Sequence, residues 1–144
     1  MIYLLDTNVV SELRKIRAGK ADANVAAWAE RQQPYSQFIS VVTLLELELG
    51  ILLIERRDAS QGKLLRAWMM DRVIPAFEGR ILPIDMEVAQ RSAALHVPDP
   101  RPERDAFIAA TALVRGMAIV TRNVSDFAQM GVRLVDPWQV SKIP

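Results

Sequence analysis

Ile2-Tyr3-Leu4-Leu5-Asp6-Thr7-Asn8-Val9-Val10-Ser11-Glu12-Leu13 opens the chain with four apolar residues, a carboxylate and then a helix-like pattern. Such a run reads as a first β-strand passing directly into a helix. In open α/β sheets, the carboxyl ends of the strands are where sites are built. Asp6 alone stays open between two roles, because Asp followed by Thr is also a good helix N-cap.

Outward from this start, strand-like and helix-like stretches alternate, which predicts an α/β domain with a mainly parallel sheet of four to five strands flanked by helices. Strands are expected at residues 2–5, 37–41, 80–83, 117–121 and 132–135. Helices are expected at 7–15, 22–33, 43–57, 60–77, 85–96 and 103–115. Val25, Trp28 and Ala29 form one stripe of the second helix, and Asp85 is placed to cap the fifth. The connector Pro98-Asp99-Pro100-Arg101-Pro102 is a stiff, non-helical entry to the last long helix, and Gly116 stands where a helix-ending glycine belongs. With no repeat and no long linker, residues 1–144 are expected to form one domain.

Composition narrows the chemistry. A chain that is 51% apolar and 24% charged is globular rather than disordered. Its longest apolar stretches fall short of a membrane span, and the start has no basic region leading into an apolar core, so no secretion signal is expected. Absence of cysteine excludes disulfides and thiolate metal sites and suits a reducing cytoplasm. His96 stands alone, which excludes both a histidine acid–base pair and a three-histidine zinc site. Net charge is +1, so a uniformly basic nucleic-acid binder is not implied. Of 18 basic residues only Lys15, Lys20, Lys63 and Lys142 are lysines. The arginine forks suit phosphate and carboxylate alike.

Three further acids stand at junctions comparable to that of Asp6. Glu46 lies in Thr43-Leu44-Leu45-Glu46-Leu47-Glu48-Leu49-Gly50. On a helix it sits about 200° from Glu48, whereas Glu48 and Glu55 nearly coincide. Glu48 and Glu55 are therefore expected on the wet face, with Glu46 among leucines and Gly50 leaving access beside it. A buried Glu–Arg pair would explain Glu46 equally well. Asp105 opens an alanine-rich helix and is favoured there by the helix dipole alone. Asp126 follows the strand ending at Thr121, where Asn123 and Asp126 would also serve as turn-formers.

The combination says more than any member. Carboxylates about 5 Å apart repel by roughly 3 kcal/mol per ionised pair at an effective dielectric near 20. Six such pairs would exceed a typical domain's stability. A four-acid cluster therefore needs Mg²⁺ or Mn²⁺, shared protons or a cationic partner, and hard oxygen donors suit those two metals.

These residues bring a resemblance into view. Leu4 to Leu13, Ile39 to Gly50, Asp105 to Leu113 and Val120 to Phe127, in that order, resemble the blocks of PIN-domain ribonucleases of the VapC type, toxins of toxin–antitoxin pairs, in the FitB-like branch. The resemblance implies a single PIN-like domain whose metal ligands are Asp6, Glu46, Asp105 and Asp126, with Thr7, Asn8, Thr121 and Asn123 as supporting polar groups. Asp99 and Glu103 remain extra acids near the site, and Arg104 fits no motif. The implied reaction is Mg²⁺- or Mn²⁺-dependent hydrolysis of RNA, leaving a 5′-phosphate and a 3′-hydroxyl. Arg14, Lys15, Arg17 and Arg122 are placed to meet RNA phosphates, although solvated charge accounts for each singly. Also implied are a VapB-like antitoxin, a homodimer or larger toxin–antitoxin assembly, a cytoplasmic location and no membrane partner. Two rivals stand beside this reading. One is a non-catalytic binding module acting through its antitoxin as a DNA-bound co-repressor. The other is a haloacid-dehalogenase-like phosphatase, which would want a second Asp where Asn8 stands.

Overall fold

A computed structural model describes residues 1–139. Its sheet has five strands, all parallel: β1 Tyr3–Leu5, β2 Gln37–Ser40, β3 Ile81–Leu82, β4 Ala118–Val120 and β5 Leu134–Val135. Their spatial order is β3-β2-β1-β4-β5. The chain winds outward from β1 to β3 and then crosses to begin the other half at β4. The strand order thus reverses between β1 and β4, and the crevice above that point is where open α/β sheets bind ligands. Leu5 is paired with Val120 in the register, and the Asp6 amide donates to the Val120 carbonyl at 2.9 Å. Asp6 and Thr121 therefore leave the sheet side by side.

Side chains alternate across the strands. Leu5, Ile39 and Val120 face one cluster with Val9, Val10, Trp28, Leu47, Ile51 and Met69. Leu4 and Ile119 face the other with Val42, Ile108, Ala109, Ala112 and Phe127. On the first face lie α1 (Thr7–Leu13), α2 (Ala23–Glu30), α3 (Val41–Arg57) and α4 (Ala59–Trp68). On the second lies α7 (Glu103–Arg115), with α6 (Met86–Leu95) packed against it and α8 (Val124–Phe127) nearby. Ala106, Ala109, Ala110 and Ala112 are fully buried. Their small size lets the α7 backbone sit close to the sheet.

Several boundaries differ from the sequence reading for identifiable reasons. Helix α3 starts at Val41 rather than Thr43, because Ser40 accepts the Val42 amide at 2.9 Å and caps it. The expected helix 60–77 is broken in three. Pro75 has no amide to donate and crowds the carbonyl four residues back. The chain absorbs it in a π turn over Met69–Val73, where the Ile74 amide reaches back to the Met69 carbonyl, before the short α5 (Ile74–Ala76). Helix α8 and a 3₁₀ turn at Pro34–Ser36 were not foreseen. Asp85 does cap α6 through the Val88 amide, and Gly116 ends α7 at φ 68°. His96 closes α6 and accepts the Arg101 amide at 3.0 Å, which anchors the proline connector.

Glu48 and Glu55 do share a helical face, but that face is not open water. Arg66 of α4 spans both, at 2.7 Å to Glu48 and 3.1 Å to Glu55. Hydrogen bonding from Arg66 holds the Glu48 carboxyl below the usual range. The α3 face left to solvent carries Leu45, Leu49, Leu52 and Leu53 instead.

Candidate active site

Asp6 is the anchor of the site. It is 7% exposed, and each carboxylate oxygen has its own donors. Oδ1 accepts the Thr7 amide at 2.9 Å, so Asp6 does cap α1. Oδ2 accepts the Thr121 hydroxyl at 2.8 Å and the Asn8 side-chain amide at 3.2 Å. The cap and the site are thus two oxygens of one residue. Burial pushes the Asp6 carboxyl up, the Thr121 and Thr7 hydrogen bonds pull it down, and the nearby Glu46 pushes it up again.

Thr121 is fully buried and acts as the hub behind Asp6. While donating to Asp6 it accepts the Asn123 amide at 3.0 Å and the Asn8 side chain at 3.4 Å. The Asn8 Oδ1 in turn accepts the Arg122 amide at 3.1 Å, which fastens the turn after β4 to the start of α1. Asn123 contributes its backbone to this network, and its exposed side chain makes no capping bond.

Glu46 comes from the second turn of α3. Its Oε1 accepts the Thr7 hydroxyl at 2.6 Å, a short, charge-assisted contact. The Thr7 and Thr43 hydroxyls are 3.3 Å apart. Thr7 has a single proton, which the shorter contact claims, so Thr43 supplies the proton between the two hydroxyls. Thr43, wholly buried, escaped the sequence reading because nothing distinguishes it there from a helix-starting threonine. On the far side, Arg104 Nη1 lies 3.7 Å from Glu46 Oε2. Both side chains are partly exposed, so this is neither the buried pair weighed for Glu46 nor an uncompensated acid. A Cβ added at Gly50 would meet nothing, as expected for an open approach.

Asp105 in the first turn of α7 gathers the evidence that the acids converge. Its carboxyl is pushed up to about 6, first by burial and then by the charges of Asp6, Asp126 and Glu46. Asp126, in α8, is exposed. The charges of Asp6, Glu46 and Asp126 therefore all bear on Asp105. Asp99 and Glu103 are exposed and absent from the groups that press on Asp105. Among the described residues no three His, Asp or Glu side chains are drawn into a ready-made metal cage. The donors are nonetheless all hard oxygens, and the negative charge that bears on Asp105 is what a divalent cation would neutralise.

The four basic candidates occupy different settings. Arg122 lies over the Trp138 ring at 5.1 Å, beside the site. Arg14 covers Trp68 at 5.9 Å, Lys15 pairs with Glu12 at 3.0 Å, and Arg17 is exposed in the turns after α1.

An acid cluster at the switch point of a five-stranded parallel sheet defines a class, and comparison with known proteins agrees. The PIN domain family matches residues 3–132, and the chain belongs to that family. It is 33% identical to the VapC ribonuclease Y4jK of Sinorhizobium fredii over 96% of this chain and 99% of the relative. It is 31% identical to the toxin FitB of Neisseria gonorrhoeae over 95% of this chain and 99% of that protein. Among solved structures, FitAB bound to an IR36 DNA fragment superposes with a TM-score of 0.88 at 29% identity, covering 99% of this chain and all of the other.

Proposed function

We propose that this chain, as one PIN domain spanning residues 1–144, is a Mg²⁺- or Mn²⁺-dependent endoribonuclease and the toxin of a toxin–antitoxin pair. The observation that carries this is the hydrogen-bond frame of the β1/β4 crevice, in which Thr7 holds both Asp6 and Glu46 and Thr121 holds Asp6. A relative named VapC ribonuclease, matched over 99% of its length, supports the substrate class. Asp6, Glu46, Asp105 and Asp126 would hold the ion. A bound divalent ion would polarise the scissile phosphate and make an attacking water more acidic.

The chain's own contribution is preorganisation. Thr7 orients two ligands at once, its amide holding Asp6 and its hydroxyl holding Glu46. Thr121 and Asn8 fix the second oxygen of Asp6, so that residue cannot rotate away. Supporting contacts of this kind hold ligands in a productive geometry. No step requires His96, whose Nδ1 is committed to the Arg101 amide. Arg122 is the basic candidate best placed to meet an RNA phosphate, through its position next to Thr121.

Partner surfaces are also available. Leu45, Leu49, Leu52 and Leu53 are exposed along α3, beside a groove of about 290 Å³ lined by Val41, Leu44, Leu45, Glu48, Met69 and Ile74. An antitoxin segment and a second copy of the chain would cover such apolar area. Among the described residues no helix is long and apolar enough to cross a membrane.

The test is to map RNA ends after induced expression of the wild-type chain and of Asp6→Ala. New 5′-phosphate ends are expected with the wild type alone, and identical profiles would overturn the nuclease reading. A second reading is favoured by the relative solved on DNA. In it the chain serves only as a co-repressor through its antitoxin, and growth arrest undiminished by Asp6→Ala would support it.

A further inference from the structure

We propose that Arg104 is a built-in counter-cation, which stands at the open edge of the site against Glu46 and weakens the binding of a divalent ion there by competing for that carboxylate. This rests on the metal reading of the site given above.

The two oxygens of Glu46 are in different states. Oε1 is locked by the Thr7 hydroxyl at 2.6 Å, while Oε2 faces the Arg104 guanidinium at 3.7 Å. Oε2 is thus the oxygen of Glu46 with no hydrogen bond, and it is the one that Arg104 attends. Among the described residues Arg104 is the one cation in ion-pair contact with any of the four acids.

The placement of Arg104 follows from its position in the chain. It precedes Asp105 in the first turn of α7, whereas Glu46 belongs to α3, so its guanidinium bridges two elements that each carry an acid. The start of α7 is fixed by the preceding connector, whose Arg101 amide is held by His96. Arg104 itself remains free to swing, with 52% of its side chain exposed. At 3.7 Å the contact is beyond a good hydrogen bond and acts by charge alone. Such a pair partly relieves carboxylate repulsion and is weak enough to be displaced. A guanidinium and a divalent cation beside the same oxygen repel each other, so each weakens the other's hold on Oε2. The residue that fitted no motif thus has a physical role: it makes the metal compete for its site.

The experiment is a Mn²⁺ titration of the intact protein without RNA, followed calorimetrically at low and high salt, on wild type, Arg104→Gln and Arg122→Gln. Loss of an exposed ion pair of this kind shifts an equilibrium by up to about fivefold. Arg104→Gln is expected to bind Mn²⁺ about three- to fivefold more tightly than wild type at low salt, with the difference shrinking at high salt. Arg122→Gln removes the same charge beside the site, from a guanidinium stacked on Trp138, and is expected to change affinity less than twofold. Equal or weaker binding by Arg104→Gln overturns the inference and leaves the metal reading standing. An equal gain in Arg122→Gln also overturns it, since the effect would then be a general field. No binding by any of the three overturns both readings together.

Discussion

Asp105→Asn, studied with divalent metal removed by a chelator, should produce a protein that is more stable than wild type and unable to cut RNA. The reason lies in the direction of the Asp105 shift. An unfolded Asp titrates near 3.8, whereas the folded carboxyl is pushed up to about 6. The folded state therefore binds that proton more tightly than the unfolded state does. Its advantage is fully present below pH 3.8, is lost as pH rises, and above pH 6 the ionised side chain works against the fold. At face value a rise from 3.8 to about 6 corresponds to about 3 kcal/mol. Asp105 is only partly buried, and solvent screening reduces this to about 1 kcal/mol. Asparagine keeps the shape and drops the charge, so its gain should appear above pH 6 and vanish below about pH 4. In a domain of this size the expected rise in Tm is about 2–4 °C. Urea unfolding at pH 8 and pH 4 measures the difference directly. Excess Mn²⁺ should invert the order at pH 8, because an ion at a hundred times its Kd stabilises the wild type by about 2.7 kcal/mol. An Asp105→Asn protein that is less stable than wild type at pH 8 in chelator would refute the reasoning.

Other changes test the supports. Thr121→Val keeps the shape of a fully buried residue but removes its bond to Asp6, and it should cost about 1.5–3 kcal/mol near pH 8 in chemical denaturation. Because that bond favours ionised Asp6, the cost should shrink as pH falls and Asp6 takes up its proton. Thr7→Val frees Glu46 Oε1 and should lower RNA cleavage by about 10- to 100-fold in a defined-substrate assay, with far-UV circular dichroism unchanged. Gly62→Ala would place a Cβ 2.6 Å from the Glu55 Cα, where backbone cannot yield cheaply. The α3–α4 hairpin should then lose about 1–3 kcal/mol, visible as a lowered urea midpoint.

The sequence carried the strand order of events well, because apolar runs ending in acids are a local signal. It marked Asp6, Glu46 and Asp126 because each follows a strand, at its end or early in the next helix, and Asp105 because it opens α7. What it missed is non-local. Thr43 matters only through a hydroxyl of Thr7 that is far away in the chain. The wheel placed Glu48 and Glu55 together correctly, but periodicity gives relative direction and not what covers a face. Arg66, from the next helix, decided that. Arg104 was invisible for the same reason, since its partner lies on α3. The break in the helix before β3 was a local signal left unused, because Pro75 forbids an uninterrupted helix through that position.

The Thr121–Asp6 bond spans 115 residues of chain, and β1 can be completed only when β4 docks against it. During synthesis, then, the first three strands emerge with their acidic edge unfinished. Asp6 lacks its hydroxyl donor, and Asp105 and Asp126 have no crevice to enter. On the ribonuclease reading proposed above, the delay is written into topology: the pairing of β1 with β4 would keep the nascent chain inactive until β4 has left the exit tunnel.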